Sequence, residues 1–184
     1  MFKEFTQQLS SHLEKEQRCV ILPHKNPDGD ALGSTLALYH FLNKKGHECS
    51  LISPNEYPSF LAWLPGEENI ICFSKDEEKS IALIEAATFI FTLDFNALGR
   101  IAPMDEYIKA STATKVMIDH HEAPQDYAAL MYSNPALGST CEMVYNVLHT
   151  WDKSLLDHNI ATCLYTGIMT DSGSFRFPST TATT

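Results

Sequence analysis

One stretch constrains the fold of this chain more than any other. An apolar run at residues 20–22 is followed directly by a polar, charged segment at residues 24–30. The apolar run predicts a buried strand, the dipeptide Asp28-Gly29 predicts a turn, and an apolar-rich segment with few helix breakers begins at Ala31. A strand, a turn and a helix in this order place the side chains of the turn outside the carboxyl end of a strand, where α/β sheets bind ligands.

This turn contains a histidine and two carboxylates, His24, Asp28 and Asp30. Carboxylate oxygens suit hard divalent cations, and first-row transition metals accept imidazole beside them. Each acid also has a simpler interpretation, because Asp28 or Asp30 alone could be a turn residue or a helix N-cap. A metal site is predicted only if further Asp and His residues follow other strands.

The rest of the chain alternates short apolar strands with helices. Strands are predicted at residues 18–22, 48–53, 69–73, 88–93, 114–118 and 130–133, and helices at residues 2–17, 31–45, 76–87, 98–110, 143–151 and 155–169. This alternation predicts βαβ units and therefore an α/β fold with a mostly parallel β-sheet flanked by helices. The near-continuous apolar character of the strands agrees, because parallel strands are covered on both faces.

Two local signals concern the helices. Ser139 and Glu142 have the spacing of a capping box and predict that a helix begins beside them. Gly33 lies in the first turn of the helix predicted at residues 31–45, where the missing side chain permits a close approach of backbone or ligand.

Two other strands also end in titratable residues. Asp94 follows the strand at residues 88–93, and Asp119-His120-His121 follows the strand at residues 114–118. Asp171 follows an apolar helix and precedes a glycine. Asp94 or Asp171 alone could be an ordinary loop acid. Two adjacent histidines directly after an apolar strand, in contrast, are not explained by a role as solvent-exposed surface residues. Together these residues are predicted to converge on one edge of the sheet.

A cluster of this kind requires positive charge. Without it, so many neighbouring acids would repel and raise one another's pKa values, and two divalent cations would offset the repulsion. Mixed imidazole and carboxylate ligation favours Mn²⁺ and similar ions over Mg²⁺ or Ca²⁺, which prefer all-oxygen ligands. The absence of thiolates from the cluster argues against structural zinc.

Charge and cysteine content exclude several classes of function. The net charge of -10 argues against a broad electrostatic grip on long nucleic acid, although a short anionic substrate could be held by bound cations. The five cysteines include no CxxC pair, so neither a disulfide framework nor a zinc knuckle is indicated.

The N-terminal residues do not resemble a signal peptide, and no apolar run reaches the ~20 residues of a membrane span. A cytoplasmic protein without a membrane partner is therefore expected.

The order of these motifs resembles one known superfamily. His24-x-Asn26-Pro27-Asp28-Gly29-Asp30-Ala31-x-Gly33-Ser34, then Asp94, then Asp119-His120-His121, then Thr170-Asp171 resemble the four motifs of the DHH phosphoesterases. The flanking segments at residues 139–142 and 166–176 are most similar to the oligoribonuclease/pAp phosphatase branch, the nano-RNases. The resemblance implies that residues 1–184 form a DHH domain and are the N-terminal part of a longer protein. The C-terminal DHHA1 domain of such relatives is not contained in them.

The resemblance also implies a two-metal centre in which one aspartate bridges the ions. It assigns His24, Asp28 and Asp94 to one Mn²⁺, and Asp30, Asp94, His120 and Asp171 to the other. His121 would face the substrate phosphate and assist the leaving group, and Asp119 would orient the two histidines. For Arg100 a phosphate contact and a surface role remain equally open.

The activity implied is Mn²⁺-dependent hydrolysis of short oligoribonucleotides to nucleoside monophosphates, of pAp to AMP, or of both. The alternatives within the superfamily are a cyclic-dinucleotide phosphodiesterase and an inorganic pyrophosphatase, and the latter usually has Thr at the position of Gly29. An alternative of another class is a non-catalytic nucleotide-sensing module, which would be expected to have lost metal ligands. The expected partner is a short oligonucleotide or a small phosphorylated nucleotide rather than long duplex nucleic acid. A homodimer is compatible with both kinds of substrate.

Overall fold

Helices and strands alternate along the chain, as the sequence predicts. The structure, a computed structural model, describes residues 2–182 and 184, so Met1 and Thr183 of the predicted domain lie outside it. The strands are β1 (Arg18–Leu22), β2 (Glu48–Ser53), β3 (Ile70–Cys72), β4 (Phe89–Leu93), β5 (Thr114–Asp119) and β6 (Leu130–Ser133). The α-helices are α1 (Phe2–His12), α2 (Gly29–Lys44), α3 (Glu77–Ala86), α4 (Asp105–Ala110), α5 (Thr140–Asp152) and α6 (His158–Asp171).

The strands form a single parallel sheet in the order β3-β2-β1-β4-β5-β6. The predicted α/β class is confirmed. Strand order runs outward from β1 in both directions, so β1 and β4 flank a topological switch point, where open α/β sheets bind ligands. In register, Leu22 pairs with Thr92 and Leu93 pairs with Ile118. The residues that follow β1, β4 and β5 therefore emerge side by side.

Two apolar layers cover the two faces of the sheet. Ile21 and Phe91 lie in the layer that α1, α2, α5 and α6 cover. Val20 and Ile90 point to the opposite face and pack with α3 and α4. Because successive strand residues point to opposite faces, burial on both faces explains the near-continuous apolar strands. None of the helices formed by the described residues has both the length and the apolar character that crossing a membrane requires.

Helices α2 and α6 approach each other closely at glycines. A Cβ atom on Gly33 would lie 2.5 Å from the carbonyl oxygen of Cys163. A Cβ atom on Gly29 would lie 2.6 Å from Oγ1 of Thr170. The prediction that Gly33 permits a close backbone approach is confirmed, and the contact brings the start of α2 against the end of α6.

Two predicted helices are shorter in the structure, for different reasons. The helix predicted at residues 2–17 ends at His12. Leu13 is still buried in the core, but residues 14–17 are charged or polar and have no apolar side chains to bury against the sheet. The helix predicted at residues 98–110 is instead a 3₁₀ turn at Leu98–Ile101 followed by α4. Pro103 separates the two, since proline lacks an N–H donor and restricts the residue before it.

Helix α6 is displaced along the chain relative to the prediction of residues 155–169. It begins at His158, after Asp157, whose carboxylate accepts the N–H of Ile160 at 3.0 Å as an N-cap. It ends at Asp171. Asp171 therefore lies in the last turn of a helix and is positioned by that helix.

Candidate metal centre

Imidazoles and carboxylates from distant parts of the chain meet at the carboxyl edge of the sheet. Three groups of side chains place one candidate ligand atom each within 4.8 Å of one another. The groups are His24 with Asp28 and Asp94, Asp30 with His120 and Asp171, and Asp94 with His120 and His121. All the metal ligands predicted from the sequence are therefore brought together in one cluster.

Asp94 occupies the middle of this cluster. Its Oδ2 lies 3.5 Å from Nε2 of His24, and its Oδ1 lies 3.6 Å from Nε2 of His120. The residue is buried and has a φ of 64°, a conformation that costs about 1–3 kcal/mol for a residue other than glycine. Strain of this kind persists only where the surroundings impose it, and here it turns the carboxylate between the histidines at the ends of β1 and β5.

The turn after β1 places its two acids differently. Asp28 is the N-cap of α2, and its Oδ1 accepts the N–H groups of Asp30 and Ala31, each at 3.0 Å. The N-cap interpretation is therefore right for Asp28, which also lies in the group with His24. It is wrong for Asp30, whose buried carboxylate accepts N–H groups from the first turn of α5 instead.

Two histidines have one ring nitrogen held and the other directed at the carboxylates. Nδ1 of His24 donates to the carbonyl of Lys25 at 2.8 Å, and Nδ1 of His120 donates to the carbonyl of Leu137 at 3.3 Å. With the proton on Nδ1, Nε2 retains the lone pair that a metal requires. Histidines that ligate metals are held in this way. The donor set, carboxylate oxygens with imidazole nitrogens, fits divalent first-row cations.

His121 differs from the other two histidines. Its Nδ1 bonds to Oδ1 of Asp119 at 2.7 Å, so that nitrogen is not free to ligate a metal. The bond to Asp119 raises the pKa of His121, against the opposing effect of partial burial. The carboxylate of Asp119 is fully buried, and within the described residues its Oδ2 has no hydrogen-bond partner. One ring nitrogen of His121 is thus held by Asp119, and Nε2 remains available.

The acids of the cluster oppose one another's ionisation. Burial raises the pKa of Asp30 well above its usual range, and the charges of Asp94 and Asp171 raise it further. Burial likewise raises the pKa of Asp171. For His24, burial lowers the pKa, but the bonds to Asp94 and to the Lys25 carbonyl outweigh it, so the pKa is raised. The prediction of mutual repulsion is confirmed for Asp30 and Asp171, and divalent cations would relieve it.

Comparison with known proteins agrees with this arrangement. The profile of the DHH family, N-terminal domain, matches residues 18–168. The chain belongs to the DHH family. The resemblance drawn from the ordered motifs is therefore confirmed, and the match extends from β1 into α6.

Several curated relatives are similar over most of this chain. It is 34% identical over 163 residues to the bifunctional oligoribonuclease and PAP phosphatase NrnA of Thermus thermophilus, covering 88% of this chain and 45% of that protein. The corresponding protein of Bacillus subtilis is 27% identical over 177 residues, covering 88% of this chain and 48% of that protein. The chain thus spans about half the length of these curated relatives.

Two solved structures are similar to the fold of this chain. An exopolyphosphatase-related protein from Bacteroides fragilis superposes with a TM-score of 0.95 at 38% identity, covering 98% of this chain and 53% of that chain. The exonuclease RecJ, solved with manganese, has a TM-score of 0.50 at 19% identity and covers 84% of this chain and 38% of that chain. RecJ shows likeness of fold alone, whereas the first comparison covers nearly every element described above.

The sequence did not identify one contributor to the cluster. Oγ1 of Thr140 donates to Oδ1 of Asp94 at 2.9 Å. The local signals were the resemblance of residues 139–142 to the oligoribonuclease/pAp phosphatase branch and the capping box. The structure confirms the helix start at Ser139, whose Oγ accepts the N–H of Glu142 at 3.1 Å. Arg100 lies near the cluster as well, and its carbonyl accepts the N–H of Lys25 at 3.0 Å.

Proposed function

We propose that this chain is the metal-binding domain of a two-metal phosphoesterase. Its substrates are short oligoribonucleotides, hydrolysed to nucleoside monophosphates, and pAp, hydrolysed to AMP. The observation that carries the proposal is the position of Asp94, with one carboxylate oxygen beside His24 and the other beside His120. The names of the relatives from Thermus thermophilus and Bacillus subtilis support the choice of substrates.

The ligands divide into two sets that share Asp94. We assign His24, Asp28 and Asp94 to one cation, and Asp30, Asp94, His120 and Asp171 to the other. Mn²⁺ is the preferred ion because imidazole and carboxylate ligands occur together. When bound, the two cations supply positive charge for the phosphate and lower the pKa of a water that can attack phosphorus in line.

The chain's own side chains provide the remaining chemistry. His121 donates a proton to the departing oxygen, and its raised pKa favours the protonated form that this role requires. Asp119 fixes the ring through its bond to Nδ1, so the proton to be transferred is on Nε2. About a third of the His121 side chain is exposed, at 33%, so it can reach a bound substrate and recover a proton from solvent.

The substrate class separates this proposal from its alternatives. The full-length protein, loaded with Mn²⁺, is incubated with pApA, pAp, cyclic di-AMP and pyrophosphate, and the products are separated by ion-exchange chromatography. We expect AMP from pApA and pAp. Cyclic di-AMP belongs in the panel because a cyclic-di-AMP phosphodiesterase of Geobacillus thermodenitrificans is 24% identical over 172 residues of alignment.

Each other outcome contradicts part of the proposal. Hydrolysis of cyclic di-AMP or pyrophosphate alone would replace the substrate assignment with one of the two alternatives. Binding of Mn²⁺ and nucleotide without turnover of any substrate would contradict catalysis and favour a nucleotide-sensing module. Failure to bind Mn²⁺ would contradict the metal centre itself.

A further inference from the structure

Thr140 contacts two of the proposed metal ligands at once. Its Oγ1 donates to Oδ1 of Asp94 at 2.9 Å, and its backbone N–H donates to Oδ2 of Asp30 at 2.6 Å. Thr140 is fully buried, as are both carboxylates to within 2% exposure. A carboxylate can only accept, so the direction of both hydrogen bonds is fixed. One residue at the start of α5 therefore touches acids that follow β4 and begin α2.

The local structure of α5 does not require this threonine hydroxyl. The N-cap is Ser139, whose Oγ accepts the N–H of Glu142. The preceding N–H groups, those of Thr140 and Cys141, have no partner within the helix, and both donate to Asp30, at 2.6 and 2.9 Å. The Thr140 hydroxyl could return to a carbonyl of its own chain segment, as helical threonines often do. Instead it bonds to Asp94.

These bonds determine how each carboxylate is turned. An ionised carboxylate has about four lone-pair sites on two oxygens. The bond from Thr140 occupies one site on Oδ1 of Asp94, which leaves Oδ2 beside His24 and the rest of Oδ1 beside His120. The two N–H groups occupy one site on each oxygen of Asp30. Both acids retain free lone pairs, and neither can rotate without losing a bond.

We propose that Thr140 is a positioning residue whose hydroxyl holds Asp94 ready to be shared between two cations. The proposal rests on the two-metal centre proposed above and extends it. In the absence of metal, the hydroxyl keeps one oxygen of Asp94 directed to each ligand set. Binding of the first cation therefore does not draw both oxygens to itself, and the second set stays complete.

The test compares variants that differ in one hydroxyl. Thr140→Val removes Oγ1 but keeps the branched shape and the backbone N–H bond to Asp30, and Thr140→Ser restores a hydroxyl. Thr35→Val is the matched control, because the buried Thr35 hydroxyl donates to the Ala31 carbonyl at 2.6 Å within α2. Each protein is titrated with Mn²⁺ by calorimetry, its two-ion EPR spectrum is recorded, and the metal-free form is melted.

We expect Thr140→Val to weaken Mn²⁺ affinity by about 10- to 100-fold, the usual cost of losing a hydrogen bond to a ligand. It should also weaken the spin coupling between the two ions. Thr140→Ser should restore both, and Thr35→Val should leave both unchanged. Thr140→Ala provides a second hydroxyl-free protein if the valine variant does not fold, and it should show the same loss.

Two results would overturn the inference while leaving the proposed function intact. In the first, the wild type binds two Mn²⁺, and the hydroxyl-free variants bind the two ions as tightly and show spin coupling of the same strength. The other is a loss in Thr140→Ser equal to that in Thr140→Val, which would assign the effect to packing. Wild-type protein that binds no Mn²⁺ would overturn the proposed function and this inference together.

Discussion

Two regions of this molecule carry four carboxylates each, and they differ in what those acids face. The candidate metal centre contains Asp28, Asp30, Asp94 and Asp171. A groove of about 720 Å³ beside β3 is lined by Glu56, Glu67, Glu68 and Asp76 together with Lys75 and Lys79. In the groove, Glu56 pairs with Lys75, and Glu67 accepts the hydroxyl of Tyr57 at 2.7 Å.

The metal centre has no such compensation. Among the described residues, Asp94 and Asp171 form ion pairs with histidines, and none of the four acids forms one with lysine or arginine. Its central acids, Asp30 and Asp94, are 1% and 2% exposed, whereas Glu56 keeps 70% of its side chain in solvent. Neither the number of acids nor the volume of a cavity distinguishes a metal site. The candidate metal centre differs from the groove in that its buried acids, Asp30 and Asp94, lie among imidazoles and pair with neither lysine nor arginine.

The largest effect that this comparison predicts is that of Asp94→Ala. Removing the shared carboxylate should abolish tight binding of both Mn²⁺ ions. The loss of several kcal/mol of metal-derived transition-state stabilisation corresponds to a fall in turnover of more than about 10³-fold. Mn²⁺ stoichiometry by calorimetry and AMP release from pApA measure the two effects.

Asp76→Ala is the matched control in the groove. Asp76 is exposed, and its side chain makes no capping hydrogen bond at the start of α3. The variant should bind two Mn²⁺ and turn over substrate as the wild type does. If Asp94→Ala retained one tightly bound ion, the assignment of Asp94 as a bridging ligand would be wrong.

The sequence predicted those parts of the metal centre that local patterns encode. β1, β2 and β6 have the predicted bounds, because apolar strands ending in turn residues are visible in a few consecutive positions. In a parallel sheet, carboxyl ends of neighbouring strands meet at one edge, so the convergence of Asp94 with Asp119-His120-His121 followed from the fold class. The ordered motifs then supplied the assignment of ligands by resemblance.

The packing of helices around Asp30 could not be predicted. A helix's apolar pattern shows which face it buries but not which neighbour will cover that face. Thr140 and Gly167 lie more than 100 residues from Asp30 in the chain, and their roles arise only because α5 and α6 pack against the start of α2. The single helix predicted at residues 98–110 is wrong for a simpler reason, because Pro103 interrupts it.

Gly167→Ala is expected to have an intermediate effect. A Cβ atom at this position would overlap Sγ of Cys141 and lie 2.7 Å from Oδ1 and 3.0 Å from Cα of Asp30. Overpacking of this kind destabilises a fold by about 1–3 kcal/mol, and here part of the displacement falls on a proposed metal ligand. Urea denaturation of the metal-free protein and Mn²⁺ titration should therefore both show a loss.

Gly99→Ala serves as the control, because a Cβ atom there would have no neighbour within 4 Å. It should leave Mn²⁺ affinity unchanged. Equal denaturation midpoints and equal Mn²⁺ affinities for Gly167→Ala and the wild type would show that α6 can shift without disturbing Asp30. The close approach of α2 and α6 would then not be needed to position the cluster.

The smallest effect is expected from Glu56→Gln in the groove. The Glu56 and Lys75 side chains are 70% and 64% exposed, and solvent-exposed ion pairs contribute little to stability because water and salt screen them. The variant should match the wild type in its denaturation midpoint, Mn²⁺ stoichiometry and AMP release. A reduced Mn²⁺ occupancy would mean that exposed, lysine-paired acids can also recruit the cation, and the distinction between the two regions would fail. Unchanged binding, beside the loss in Asp94→Ala, would show that burial opposite imidazole selects the metal site.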